Sequence, residues 1–112
     1  MKNKYIILGT EFDLELISIS DELSDIDFSK GIESQIMLLD EDLLQLSFKS
    51  GVIIDVGWYP AFEIKGEFII NRIINSCWDT PAAKYSVRWD RTELISKIRK
   101  AIGQIKNMLN IG

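Results

Sequence analysis

The segment Asp25-Ile26-Asp27-Phe28-Ser29 places oxygen-bearing side chains at every second position, the spacing with which a calcium loop opens. Such a loop also needs glycine at its sixth position and a bidentate glutamate at its twelfth. Lys30 and Ile36 stand there instead, so the match fails. Paired carboxylates can act as acid and base on a glycosidic bond, but the acids here crowd one short region, and such enzymes usually need a larger scaffold to form a sugar cleft. The chain has no histidine, which excludes Ser-His-Asp and Cys-His nucleophiles, His-ligated zinc and the commonest general base. Its one cysteine, Cys77, excludes a disulfide framework and every multi-cysteine metal site. A nearby cation such as Lys84 or a helix N-terminus could activate that thiol, but it reads as a bystander. The seven glycines match neither GxGxxG nor GxxxxGK[ST]. The residues predict no enzyme, no metal and no cofactor.

Charge is the more informative feature. The 112 residues carry 13 Lys+Arg against 17 Asp+Glu, a net of −4. From Glu11 to Asp42 there are eleven acids and one base, Lys30, a segment net of −10; after Asp42 there are ten bases and six acids, a net of +4. Such asymmetry points to an interaction surface, with solvated acids that merely confer solubility as the plainer reading. An acidic face repels nucleic acid and attracts basic proteins. The candidate contacts are Asp21, Glu22, Asp25 and Asp27, clustered in a polar stretch that reads as a loop, where binding residues concentrate. Trp58, Tyr59 and Trp78 are further candidates: they can pack as core or sheet-edge residues, or anchor a protein interface.

The elements that must position these residues follow from apolar spacing. The sequence reads as one domain over residues 1–112, an α+β fold with an antiparallel sheet of about five to seven strands and one C-terminal amphipathic helix packed on one face. Tyr5–Leu8 suits a buried first strand. Phe12, Leu14 and Leu16 then alternate with acids, and the phase switches to Ile17 and Ile19, which requires a bulge or a strand covered on both faces. Asp21–Gly31 reads as an acidic loop with room for a helical turn, Ile32–Leu39 as a strand, and Asp40-Glu41-Asp42 as a connection. Leu44–Phe48 and Val52–Val56 form a hairpin stopped by Gly57-Trp58-Tyr59-Pro60. Glu67–Asn75 and a run through Tyr85, Val87 and Trp89 supply the last strands, separated by a Cys77–Ala83 loop. Asp90 with Glu93 is a capping box, and Leu94, Ile95, Ile98, Ala101, Ile102, Ile105 and Leu109 make one stripe.

The run after Met1-Lys2-Asn3-Lys4 is too short for a secretory core, which needs about 7–15 apolar residues. No stretch approaches the roughly 20 apolar residues of a membrane helix. With an unpaired cysteine, the expected compartment is the cytoplasm.

The segment Asp55-Val-Gly-Trp-Tyr-Pro60, the Gly66-Glu-Phe68 strand start, the Trp78-Asp-x-Pro81 loop and the terminal amphipathic helix together resemble bacterial immunity proteins of contact-dependent growth inhibition and polymorphic toxin systems. The resemblance covers residues 52–110; the first half shares only its acidity. It implies a protein that binds the C-terminal toxin domain of a cognate effector, one-to-one, and blocks it in the cytosol. Many such toxins are nucleases, often acting on tRNA, whose basic cleft an acidic surface would complement. Two alternatives stand beside it: an acidic nucleic-acid mimic or regulator of another basic protein, and a small ligand-binding α+β domain. Neither direct nucleic-acid binding nor membrane association is expected.

Overall fold

The computed structural model describes residues 2–109, with 104–109 described as helix backbone alone. Among these residues seven strands form two antiparallel sheets. β1 (Asn3–Ile7) pairs with β2 (Thr10–Leu14), and a five-stranded meander runs in the order β3 (Leu16–Asp21), β4 (Leu44–Phe48), β5 (Ile53–Tyr59), β6 (Glu67–Ile73) and β7 (Ala83–Val87). A one-turn helix, α1 (Ile32–Gln35), lies between β3 and β4, and the long helix α2 (Arg91–Leu109) closes the chain. The fold is the α+β arrangement that the apolar spacing predicts.

Alternation along the strands decides which face is covered. Leu44, Leu46, Ile54, Val56, Trp58, Phe68, Ile70 and Val87 are buried on one side of the sheet. Onto that side α2 lays Leu94, Ile98 and Ala101, all fully buried, with Ile95 and Ile102 at the margin. Asp90 caps the helix, its carboxylate accepting the Glu93 N–H at 3.0 Å. Ile105 and Leu109 lie outside the residues whose side chains are described. The β1–β2 hairpin packs beside the helix. Its two-residue turn, Leu8-Gly9, has φ of 53° and 74°, the backbone hand that matches strand twist. A leucine there is strained, and burial of its side chain in the core offsets that strain. Arg91 donates to the Leu8 carbonyl, and the Ser24 hydroxyl accepts the Leu8 N–H at 3.0 Å.

Two expectations require correction. Ile32–Leu39 is helical, α1 followed by a 3-10 turn over Ile36–Leu38. Ile32, Ile36 and Leu39 face the core at four- and three-residue steps, while Met37 and Leu38 fill out an apolar run that only looks strand-like. Gln35 is buried there because its side-chain oxygen accepts the Asp27 N–H. Secondly, β5 does not stop at Val56 but pairs through Tyr59, opposite Glu67. Of the two readings of the phase switch after Leu16, the bulge is the one realised: it lies between Leu16 and Ser18 and leaves Ile17 exposed.

The lead-in to β4 carries the most demanding contact. Past Leu44 the pairing with β5 continues in a shifted register, with Leu43 N–H to Val56 O at 3.0 Å and Trp58 N–H to Asp40 O at 2.8 Å. This draws Asp40-Glu41-Asp42 over Gly57. A Cβ on Gly57 would overlap the Glu41 carbonyl oxygen and come within 2.7 Å of its carbonyl carbon. Backbone cannot yield as a flexible side chain would, so Gly57→Ala should lower the unfolding free energy by roughly 1–3 kcal/mol, read from urea titration. Gly103→Ala, in α2 with nothing within 4 Å of the new methyl, should raise it by about 1 kcal/mol in the same assay.

Candidate functional site

The second face of the five-stranded sheet carries the alternate positions: Gln45 and Ser47 on β4, Ile53, Asp55, Gly57 and Tyr59 on β5, Glu67, Ile69 and Asn71 on β6, Lys84 and Ser86 on β7. No helix of the described residues packs there. Instead the Asp40–Asp42 lead-in crosses one part of it, and the β6–β7 loop folds back over another. Between them lies a groove of about 710 Å³, walled by Glu41, Tyr59, Pro60 and Glu67 on one side and Trp78, Asp79 and Lys84 on the other. A small recess of about 70 Å³ beside it brings Asp42 and Ser20 to Asp55.

Carboxylates gather on this face without matching cations. Burial, and then the Asp42 carboxylate, push Asp55 up from an ordinary 3.8 to about 6. Burial likewise raises the Tyr59 phenol, with Asp55, Glu41, Asp42 and Asp40 adding to the shift. The groove lining holds three acids and one base, Lys84. Asn71, directly across from Asp55 in the β5–β6 register, keeps a buried side-chain oxygen without a hydrogen-bond partner.

Four further bases sit away from the groove. Arg91, Lys97, Arg99 and Lys100 belong to α2, on the opposite side of the sheet. Arg99 stacks over Phe12 at 4.7 Å, and Lys97 and Lys100 approach the Tyr85 ring at 5.9 and 5.5 Å. The molecule therefore has an acidic open face and a basic helix face. No protein-family model matches the chain, and no curated protein or solved structure matches it either. What the surface can do is read from its geometry.

The predicted contacts divide. Asp21, Glu22, Asp25 and Asp27 do lie together, in the turn that follows β3 and contains a 3-10 segment, Leu23–Asp25. Two of them are engaged in holding that turn. Asp21 accepts from both the Ser24 N–H and hydroxyl, and Asp27 accepts from both groups of Ser29, which hold it below the ordinary carboxylate range. Glu22 and Asp25 are exposed, and Asp25 and Asp27 line a shallow cavity of about 460 Å³ that also holds Arg91. Trp58 is corrected from candidate contact to core residue: it is 1% exposed, packs edge-on against Phe68 at 4.9 Å, and donates its indole N–H to the Glu63 carbonyl at 2.7 Å. Tyr59 and Trp78 do reach the groove.

Glu41, Asp42, Asp55 and Glu67 are the acids that sequence reasoning missed. Their signal was present: an acid inside the run Ile53-Ile54-Asp55-Val56 faces outward by period two, and Gly57 two residues on leaves room for a crossing backbone.

A carboxyl raised by folding favours the native state only while protonated. Its contribution is fully present below pH 3.8, the unfolded value, and is lost as pH rises through about 6. Asp55→Asn should accordingly melt higher than the wild type near about pH 7.5. The gap should close towards about pH 4, as followed by circular dichroism.

Proposed function

We propose that this protein is an immunity protein, which binds the toxin domain of a cognate effector one-to-one in the cytoplasm and blocks it by direct contact. The toxin is a basic nuclease domain, with tRNA as its substrate class. The observation that carries the reading is the gathering of Glu41, Asp42, Asp55 and Glu67 on an open sheet face whose groove is lined by a single base, Lys84. The resemblance of residues 52–110 to such proteins supports it independently.

Physically, an acid already pushed up by burial and a like neighbour gains from a cation placed among its oxygens. A Lys or Arg ridge from a nuclease cleft supplies such cations, and the acids occupy the place that substrate phosphates would take. The field of an acidic face also speeds encounter with a basic partner by about 10–1,000-fold at low salt. Fast capture matters for a protein that must intercept a toxin before it acts. Among the described residues no helix is long and apolar enough to cross a membrane.

The direct test is capture of the toxin domain encoded immediately upstream, followed by an assay of cleavage of cellular tRNA. Stoichiometric capture with loss of cleavage is expected; no capture would remove the reading. Among variants, Glu41→Lys/Asp42→Lys should slow association by about tenfold or more at low salt, with the difference shrinking as salt rises. Glu22→Lys/Asp25→Lys reports on the acidic turn separately. It avoids Asp21 and Asp27, whose carboxylates hold the turn together.

A further inference from the structure

The end of the sheet that gathers the acids also gathers exposed apolar side chains. Met37 (76% exposed), Leu38, Phe62 (45%) and Ile64 (52%) come from two segments, the 3-10 turn before β4 and the β5–β6 connection. A backbone hydrogen bond joins those segments, the Phe62 N–H to the Leu39 carbonyl at 2.8 Å. The connection is held from within as well, by the Trp58 indole on the Glu63 carbonyl and by a turn from Gly66 N–H to that same carbonyl. Four large exposed hydrophobics thus stand on two segments that a backbone hydrogen bond joins. An apolar centre with a charged rim is the composition of a protein–protein contact.

Phe62 adds an independent observation. Its φ is +62°, a conformation that a bulky side chain adopts only at a cost. Leu8, strained in the same way, buries its side chain in the core. Phe62 is instead 45% exposed, so much less of its side chain is buried in return for that strain.

We infer that Met37, Leu38, Phe62 and Ile64 form the apolar anchor by which this protein grips a basic protein partner, with Phe62 entering a recess bordered by Lys or Arg side chains. The partner's charge follows from the rim. Between residues 37–42 and 59–67 stand Asp40, Glu41, Asp42, Glu63 and Glu67 against one base, Lys65. A second copy of this chain is disfavoured, because a two-fold contact would set that acidic rim against itself. This inference rests on the proposed function for the partner's identity, and adds where and how it is held.

Phe62→Asn tests it, because asparagine accepts positive φ and removes the ring. The variant is measured in the full chain by thermal melting and by dissociation kinetics from the upstream-encoded toxin domain, alongside Ile64→Ser. An anchoring role predicts an unchanged or higher melting temperature for Phe62→Asn and dissociation faster by about tenfold or more for both variants. Unchanged dissociation in both, with the wild type captured normally, overturns the anchor and leaves the acidic face as the contact. A lower melting temperature with unchanged dissociation makes Phe62 a structural residue and likewise overturns it. Failure of the wild type itself to capture the toxin removes the proposed function, and the anchor with it.

Discussion

The last three residues of β5 fix the end of the sheet on which the functional reading depends. Trp58 is buried against Phe68 and Trp89, and its backbone N–H holds the Asp40 carbonyl while its indole N–H holds the Glu63 carbonyl. One residue thus ties down both the acidic lead-in to β4 and the connection that carries Phe62 and Ile64. Its neighbours must be small for this to happen. A Cβ at Gly57 would occupy the Glu41 carbonyl, and a Cβ at Gly66 would overlap the Trp58 indole nitrogen and approach its Cε2 to 2.8 Å. A buried tryptophan flanked by two backbone close approaches cannot be repacked piecemeal. Neither segment can move without releasing the other.

Rigidity at this point bears on charge. Carboxylates on a mobile loop spread apart and are screened; carboxylates fixed by backbone hydrogen bonds cannot relax away from one another. Asp55 and Tyr59 are displaced upward at these positions, by burial first and neighbouring acids second. The bases of α2 offer no relief, because the sheet separates them from the acids and their side chains lie over Phe12 and Tyr85. An uneven charge distribution in the sequence becomes, through the fold, two faces of opposite sign. On the proposed reading, a partner need not order the acidic one on arrival.

Much of this architecture is legible in the amino-acid order. The Leu44–Phe48 alternation, the Asp90–Glu93 capping pair and the phase switch at Leu16 each report a local rule, respectively pleat, cap and bulge, and each is realised in place. What was not legible depends on contacts distant in sequence. Ile32–Leu39 reads as a strand because Met37 and Leu38 complete an apolar run, and only their exposure shows that the core takes Ile32, Ile36 and Leu39 instead. Trp58 and Trp78 look alike in sequence, but one is buried by the connection that wraps it and the other is 47% exposed on a loop folded over the open face. Nothing local distinguishes a wrapped tryptophan from a presented one.

The acids show the same division more sharply, and the sequence did hold a clue to it. Asp21 precedes Ser24 by three residues and Asp27 precedes Ser29 by two, spacings at which a carboxylate bonds its own turn. Such carboxylates stay charged but already have lone pairs committed to donors of their own turn, so fewer are left for a partner. Asp55 has no such serine near it and sits in the middle of a strand, where an acid has no structural reason to be. Weighting each acid by whether its own turn can use it ranks Asp55 above the denser cluster at Asp21–Asp27. Density of charge alone does not separate the two; charge that the local backbone cannot satisfy is what a cation from outside can still pair.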